Sequence, residues 1–231
     1  MMVAMIAGIH TLFEDRRRRR LVWAAVAVVF SAIVVWLEGL YEEGRPHHVE
    51  ARIHAWFQTM RAEGGKGGTL NVLMDQVTAL GGEAVLAILT VGGAVFLATV
   101  RRHALMLFWI AAVILGRALN IALKYLTAHA RPGEAAVLIG IENDSFPSGH
   151  AMMSLVVYLL AAVLLVPHVP TRRGRIFLVV FALWLSIVVG FSRLHLGVHV
   201  LSDVVAGWLV GGAWVALCWT ARDVILSRRQ I

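Results

Sequence analysis

Three short segments of this 231-residue chain contain residue types that can hold a phosphate group and transfer it. In chain order they are Lys124-x6-Arg131-Pro132, Pro147-Ser148-Gly149-His150 and Ser192-Arg193-x5-His199-x3-Asp203. Among them are three permanent cations, two histidines, two serines, a glycine and a carboxylate. Cations and backbone amides can offset charge on phosphoryl oxygens, while an oriented imidazole can attack phosphorus. The segments therefore indicate phosphoryl-transfer chemistry.

The third segment pairs a histidine with a carboxylate. His199 and Asp203 are four residues apart, and we expect a helix to place them on one face within reach of each other. A carboxylate bonded to one ring nitrogen fixes the tautomer, which leaves the other nitrogen as a nucleophile. Arg193 lies upstream, where we expect the entry to this helix, and its planar guanidinium suits bidentate phosphate binding.

The second segment predicts the start of a helix near Gly149. We expect Ser148 to cap this helix, whose exposed amides favour an anion, and Gly149 to let the backbone approach phosphate closely. His150 lies beside that point and could protonate a leaving oxygen. In the first segment, Lys124 and Arg131 add positive charge at the end of another predicted helix.

Each of these residues also has an ordinary structural explanation when it is taken singly. Lys124 could be a snorkelling residue at a helix end, and Ser148 could be only a cap. His199 and Asp203 could be a structural pair near a helix start that favours a carboxylate. Their joint occurrence in three consecutive connections favours a shared phosphate site.

The elements that must position these segments are predicted to be membrane helices. The chain is 59% apolar and 15% charged, whereas soluble domains carry about a quarter charged residues. Several apolar runs approach the roughly 20 residues that a bilayer core requires. We predict an all-α bundle of six transmembrane helices at Leu21–Leu40, Glu83–Val100, Ala104–Leu123, Ala151–Val166, Ile176–Phe191 and Val204–Thr220.

The distribution of arginines predicts the orientation of these spans. Arg16 to Arg20, and the arginines near positions 101, 172 and 228, fall on the side that holds both termini. Since excess Lys and Arg marks the cytoplasmic side, we expect cytoplasmic termini and three outward-facing segments. The net charge of +7 is therefore a topology signal, and we expect no nucleic-acid partner.

This topology divides the chain into three parts. Residues 1–20 are predicted to be a basic cytoplasmic leader, residues 21–220 a six-span domain and residues 221–231 a cytoplasmic tail. The leader is interpreted as an orientation anchor, with a contact to anionic lipids as the alternative. In the first outer connection, Val49, Ile53, Trp56, Phe57 and Met60 recur at helical spacing, which predicts a helix in the membrane interface.

Several polar or small residues outside the predicted phosphate site also require an explanation. Arg117 lies inside the third predicted span, where it could pair with Glu38 or Glu83 or reach a headgroup. His129 and His195 are interpreted as bystanders near the mouth of the site. The single cysteine is expected to be a packing residue, and Gly207 with Gly211 predicts close helix packing. No cluster of carboxylates or histidines suggests a metal site, and no cofactor is expected.

Taken together, the three segments resemble the signature of the type 2 phosphatidic acid phosphatase superfamily, which also includes vanadium haloperoxidases and bacterial acid phosphatases. The signature covers residues 124–203. The six-span layout and the Thr78-Ala79-Leu80-Gly81 stretch resemble the integral-membrane lipid phosphatases of that superfamily.

The resemblance implies roles for the residues of the three segments. His199 would be the nucleophile that becomes phosphohistidine, and Asp203 would orient it. His150 would protonate the leaving group and then activate water. The phosphate-binding residues would be Lys124, Arg131, Ser148, Gly149 and Arg193.

The resemblance also implies an activity and a location. It suggests metal-independent hydrolysis of undecaprenyl diphosphate, phosphatidylglycerophosphate or phosphatidic acid on the outer face of a bacterial inner membrane. One alternative is a vanadate-dependent peroxidase, although the peroxidases of this superfamily are soluble. Another is a non-catalytic protein that binds or transports a lipid phosphate, against which the intact His150, His199 and Asp203 argue.

Overall fold

The computed structural model describes residue 28 and residues 48–65, 67–127 and 146–227. Within these ranges every regular element is helical and there is no strand. In chain order the α-helices are α1 (His48–Gly64), α2 (Thr69–Ala79), α3 (Glu83–Thr99), α4 (His103–Thr127), α5 (Gly149–Leu165), α6 (Arg172–His195) and α7 (Leu201–Ser227). A short 3-10 helix, Val166–His168, follows α5. The all-α prediction is confirmed for this part of the chain.

Four stretches of this bundle are long and apolar enough to cross a bilayer. They are His103–Thr127, Gly149–His168, Arg172–His195 and Leu201–Trp219. Helices α2 and α3 meet at a 43° bend and pass the same test together, which gives up to five spans. The predicted leader, nearly all of the predicted first span and residues 228–231 lie outside the described residues. The count of six therefore stays a prediction.

The outward face of α6 is apolar and aromatic. Phe177, Phe181 and Trp184 are 62%, 44% and 53% exposed. Phe181 stacks on Phe177 at 5.6 Å and on Trp184 at 5.7 Å between ring centroids. An apolar surface of this extent is costly in water but matches the hydrocarbon core of a bilayer. The face therefore suits contact with lipid.

Helix α5 lies at the centre of the bundle. It contacts α3, α4, α6 and α7, and its side chains are buried on several faces, including those of Met152, Val156 and Leu160. A helix that is apolar all round is expected in such a position. Cys218 of α7 is buried in the same core, in agreement with its interpretation as a packing residue. The N-terminus of α5, with the Pro147–His150 segment, is consequently surrounded by other helices.

Hydrogen bonds from tryptophan side chains join neighbouring helices. Three indole N–H groups donate to backbone carbonyls across helix pairs, Trp109 to Thr90 at 2.9 Å, Trp208 to Ser186 at 3.2 Å and Trp214 to Ala112 at 2.8 Å. Inside a bilayer a polar group must find its partner within the protein. These contacts therefore hold α3, α4, α6 and α7 together without leaving a donor in lipid.

Helices α5 and α7 approach most closely at two glycines of α7. A Cβ atom on Gly207 would lie 2.7 Å from the carbonyl oxygen of Ser148, and one on Gly211 would lie 2.9 Å from that of Met152. The predicted close packing is confirmed, because no larger residue would allow these backbones to touch. Near this contact the amide of Ser148 donates to the carbonyl of Asp203 at 3.0 Å.

We predict that Gly207→Ala destabilises the bundle, since the new methyl group must push α5 and α7 apart. Gly92→Ala is the matched control, because a Cβ there meets no atom within 4 Å. Alanine is favoured over glycine inside a helix by about 1 kcal/mol, so the control should melt no lower than the parent protein. Thermal unfolding in detergent micelles measures the difference. Equal melting temperatures for the two variants would contradict the prediction.

Candidate active site

His199 and Asp203 form a buried pair at the junction of α6 and α7. The Nδ1 atom of His199 lies 3.0 Å from Oδ2 of Asp203, and the two residues are only 3% and 0% exposed. A carboxylate can only accept, so Nδ1 donates the proton and Nε2 keeps its lone pair. The predicted contact between these residues is confirmed.

The predicted geometry of this pair is wrong, however. His199 lies in the connection before α7, and only Asp203 belongs to the helix. The contact forms because Asp203, in the first turn of α7, reaches back toward the connection, where its Oδ2 also accepts from the amide of Val200 at 3.4 Å. A spacing of four residues fits this arrangement as well as it fits a shared helix face.

Arg193 also differs from its predicted place at the entry to a helix. It lies in the last turn of α6, because the helix continues to His195 and the chain turns only at Gly197, where φ is +71°. Its Nη1 atom donates to the hydroxyl oxygen of Thr78 in α2 at 3.0 Å. The guanidinium is thereby held from a helix that precedes it by more than a hundred residues.

Helix α5 begins at Gly149 as predicted, with Ser148 at the N-cap position. The predicted capping bond is absent, since the side chain of Ser148 binds no amide of α5. Its hydroxyl oxygen is buried and has no hydrogen-bond partner among the described residues. The first turn of α5 contains no acidic residue. Within the described residues, this N-terminus therefore combines backbone donors and a buried hydroxyl group with a first turn that has no acidic side chain.

Residues from all three sequence segments lie close enough to act electrostatically on one another around His150. This histidine, in the first turn of α5, lies in the electrostatic field of Arg193, His199 and Lys124. Lys124 belongs to the last turn of α4 and also acts on His199. Arg131 lies outside the described residues, as does His129, so their placement stays a prediction. The structure thus brings together two histidines and two cations from three helix ends and from the connection between α6 and α7.

Burial lowers the pKa of His199 below the ordinary value of an imidazole. The hydrogen bond and negative charge of Asp203 oppose this effect, while the positive charges of Arg193 and Lys124 add to it. A lowered pKa keeps the ring neutral as the pH falls toward the ordinary imidazole value. The Nε2 atom of His199 therefore keeps its lone pair at neutral pH.

We predict that His199 remains neutral at about pH 6.5, where an ordinary imidazole is half protonated. Histidine-labelled protein in micelles can be titrated by ¹⁵N NMR, with His199→Asn identifying the signal. The neutral pattern with Nδ1 protonated should persist through pH 6.5 and give way only at lower pH. A midpoint above the ordinary value would contradict the prediction.

Sequence reasoning left some supporting residues of the site without a role. Gly81 follows the bend after α2, and a Cβ there would lie 2.4 Å from Cγ1 of Val189 and 3.4 Å from Cβ of His150. The stretch from Thr78 to Gly81 thus touches Arg193 at one end and His150 at the other. Its resemblance to lipid phosphatases was the only signal, and spacing alone suggests no such contact.

Asn120 is a second supporting residue that spacing could have suggested, since it lies one helical turn before Lys124. It is fully buried, and its Oδ1 would lie 2.9 Å from a Cβ on Gly149. Arg117 donates to this oxygen at 3.3 Å and forms an ion pair with Glu83. Of the predicted partners of Arg117, Glu83 is therefore confirmed, while Glu38 lies outside the described residues.

His195 is buried away from this cluster. Its Nε2 lies 2.6 Å from Oδ1 of Asn71, and the Nδ2 atom of Asn71 donates to the carbonyls of Arg61 and Gly65. This histidine therefore joins α6 to the α1–α2 corner. In the described parts of the chain, no group of three or more His, Cys, Asp or Glu side chains is arranged to hold a metal ion.

The fold and the site together define a membrane protein with a cationic, histidine-containing centre at one end of a helical bundle. The sequence pattern of the PAP2 superfamily matches residues 103–225, more than half of the chain. The chain therefore belongs to the PAP2 superfamily, and the resemblance inferred from the three segments is confirmed.

Two relatives extend this comparison. Phosphatidylglycerophosphatase B of Bacillus subtilis (strain 168) is 32% identical over 145 residues, which cover 62% of this chain and 70% of that protein. The crystal structure of a transmembrane PAP2 type phosphatidylglycerolphosphate phosphatase from Bacillus subtilis matches with a TM-score of 0.71 and 28% identity. That match covers 86% of this chain and 96% of the crystallised one.

Proposed function

We propose that this chain is a membrane lipid phosphatase that hydrolyses a phosphomonoester or diphosphate headgroup through a phosphohistidine intermediate. The observation that carries the proposal is the buried 3.0 Å bond between His199 and Asp203 in the field of Arg193 and Lys124. A nucleophile, its orienting carboxylate and cations for the phosphoryl oxygens are thereby in one place. The similar phosphatidylglycerophosphatases make phosphatidylglycerophosphate the first substrate to test, beside undecaprenyl diphosphate and phosphatidic acid.

The phosphate is proposed to bind at the N-terminus of α5 and not at that of α7. The two helix starts are adjacent, since the amide of Ser148 binds the carbonyl of Asp203. The start of α7 already carries two carboxylates, Asp203 and Glu50, and the second accepts from the amide of Ser202 at 2.8 Å. The start of α5 has no acidic residue, and the buried hydroxyl of Ser148 is available to donate.

In the first step, Nε2 of His199 would attack phosphorus as the bond to the leaving oxygen breaks. His150 would donate a proton to that oxygen, so the lipid leaves as an alcohol or as a monophosphate. In the second step, His150 would take a proton from water while the water oxygen attacks phosphorus. The nitrogen–phosphorus bond then breaks, and inorganic phosphate leaves a restored imidazole.

No metal ion is required in this proposal. Lys124, Arg131 and Arg193 would offset the charge on the equatorial oxygens, which is the role that magnesium has in other phosphoryl-transfer enzymes. These side chains can also bind the phosphate oxygens directly, whereas a metal ion must first lose part of its hydration shell. Hydrolysis is therefore expected to continue in the presence of a chelator.

We predict that His199→Ala reduces phosphate release by more than about a thousandfold, because His199 is the nucleophile bonded to Asp203 in the described part of the chain. His103→Ala, at the opposite end of α4, is the control and should retain full activity. Release is measured in detergent micelles with EDTA, using the three lipids named above. Full activity of His199→Ala would refute the nucleophile, and loss of wild-type activity in EDTA would refute metal independence. Binding without turnover by the wild type would instead indicate a lipid-phosphate binding protein.

We further propose the six-span topology, with a cytoplasmic leader at residues 1–20, the membrane domain at residues 21–220 and a cytoplasmic tail at residues 221–231, in a bacterial inner membrane. Lys124 and Arg193 end their helices, whereas Ser148 and Asp203 begin theirs, so the site occupies one end of the bundle. Arg101 and Arg172 lie at the opposite helix ends. Cytoplasmic arginines put the site on the outer face, with α1 along that interface.

We predict that a cysteine at position 67 reacts with a membrane-impermeant maleimide in cells with a permeabilised outer membrane, and that one at position 102 does not. Gly67 lies between α1 and α2, whereas Arg102 lies between α3 and α4. Cys218→Ser provides the cysteine-free parent, and detergent-solubilised protein gives full labelling as the control. Labelling of Arg102→Cys but not of Gly67→Cys would reverse the orientation.

A further inference from the structure

Helix α7 has no acceptor side chain at its N-cap position. The residue before Leu201 is Val200, which has no side-chain acceptor, and Asp203 at the third helical position accepts from the amide of Val200 at 3.4 Å. That bond is one half of a capping box. In the other half, a side chain at the N-cap accepts from an amide in the first turn, which valine cannot do.

Glu50 of α1 provides the missing acceptor from 152 positions earlier in the chain. Its Oε1 accepts from the amide of Ser202 at 2.8 Å and from the hydroxyl of Ser202 at 2.6 Å. Ser202 is the second residue of α7, and its amide is one that an N-cap side chain normally binds. A carboxylate at this point is also favoured by the positive end of the helix dipole.

Two further contacts dock α1 on the connection that carries His199. Arg61 donates from Nη1 to the carbonyl of Leu196, at the beginning of the connection. Gln58 packs against Gly197, where an added Cβ would lie 1.8 Å from its Nε2 atom. Together with Glu50, these residues hold α1 along the whole connection between α6 and α7. The position of Glu50 relative to α7 is therefore fixed at several points.

We propose that Glu50 is a positioning residue that keeps the carboxylate of Asp203 directed at His199. The first amides of a helix have no partner within it, and they attract the nearest carboxylate. With Glu50 in place, the amide of Ser202 is satisfied and Oδ2 of Asp203 is available to Nδ1 of His199. Without Glu50, the amides of α7 compete with His199 for Asp203, and the tautomer with a free Nε2 is less well fixed.

The kinetic test of this inference rests on the proposed phosphatase function. Glu50→Ala should lower kcat by about tenfold, the size of a lost helix cap, and change KM by less than about twofold. Glu50→Gln keeps an acceptor oxygen and should retain about half of the wild-type kcat or more. Glu63→Ala removes the same charge from the exposed end of α1 and should leave kcat unchanged. An equal loss in Glu63→Ala, or none in Glu50→Ala, would overturn the inference.

A spectroscopic test of the same variants does not depend on turnover. The Nδ1 proton of His199 is followed by NMR in histidine-labelled protein, with His199→Asn as the assignment control. Glu50→Ala should shift this resonance upfield and speed its exchange with water, while Glu50→Gln and Glu63→Ala should leave it in place. An unchanged resonance in Glu50→Ala would refute the positioning role even if no lipid were hydrolysed. If Glu50→Ala does not fold, Glu50→Asp and Glu50→Gln still decide, since the shorter side chain of the first should lose the bond to the amide of Ser202 and must shift the resonance more than the second.

Discussion

The hydrogen bond from the amide of Ser148 to the carbonyl of Asp203 joins the start of α5 to the start of α7. The position of His150 relative to His199 depends on the separation of these two helix ends, because one presents His150 and the other orients His199. The distance between α5 and α7 is set inside the membrane domain by Gly207 and Gly211, where the backbones of the two helices are in contact. Helix packing in the apolar core thus fixes the geometry of a polar site at its end.

Two arginines near the site are held by contacts with other helices. Arg117 pairs with a carboxylate, Glu83, and supports Asn120 behind the start of α5. Arg193 donates to the hydroxyl of Thr78, so its guanidinium is held from α2. Both arginines are thus positioned by side chains of helices far from them in the sequence.

Much of the fold and part of the site follow from the sequence alone. Apolar runs gave the central helices to within a few residues, because length and hydropathy constrain a membrane helix strongly. The pairing of His199 with Asp203 also followed from spacing, but its geometry did not. Two residues four positions apart can meet on one face of a helix or between the first turn of a helix and the connection before it. The bond between Arg193 and Thr78 joins distant helices, and local patterns contain no information about such contacts.

The role of α1 illustrates the same limit in another way. Its apolar residues were enough to predict a helix, yet three polar residues, Glu50, Gln58 and Arg61, also connect it to the site. A capping signal is normally sought within a few positions of the helix start, and Val200 offers none. The N-cap position exists but is occupied by Val200, so the acceptor for the amide of Ser202 comes from Glu50, 152 positions earlier in the chain. The first amides of a helix need acceptors, but these acceptors need not be near in sequence, and a search for local capping motifs therefore misses this one.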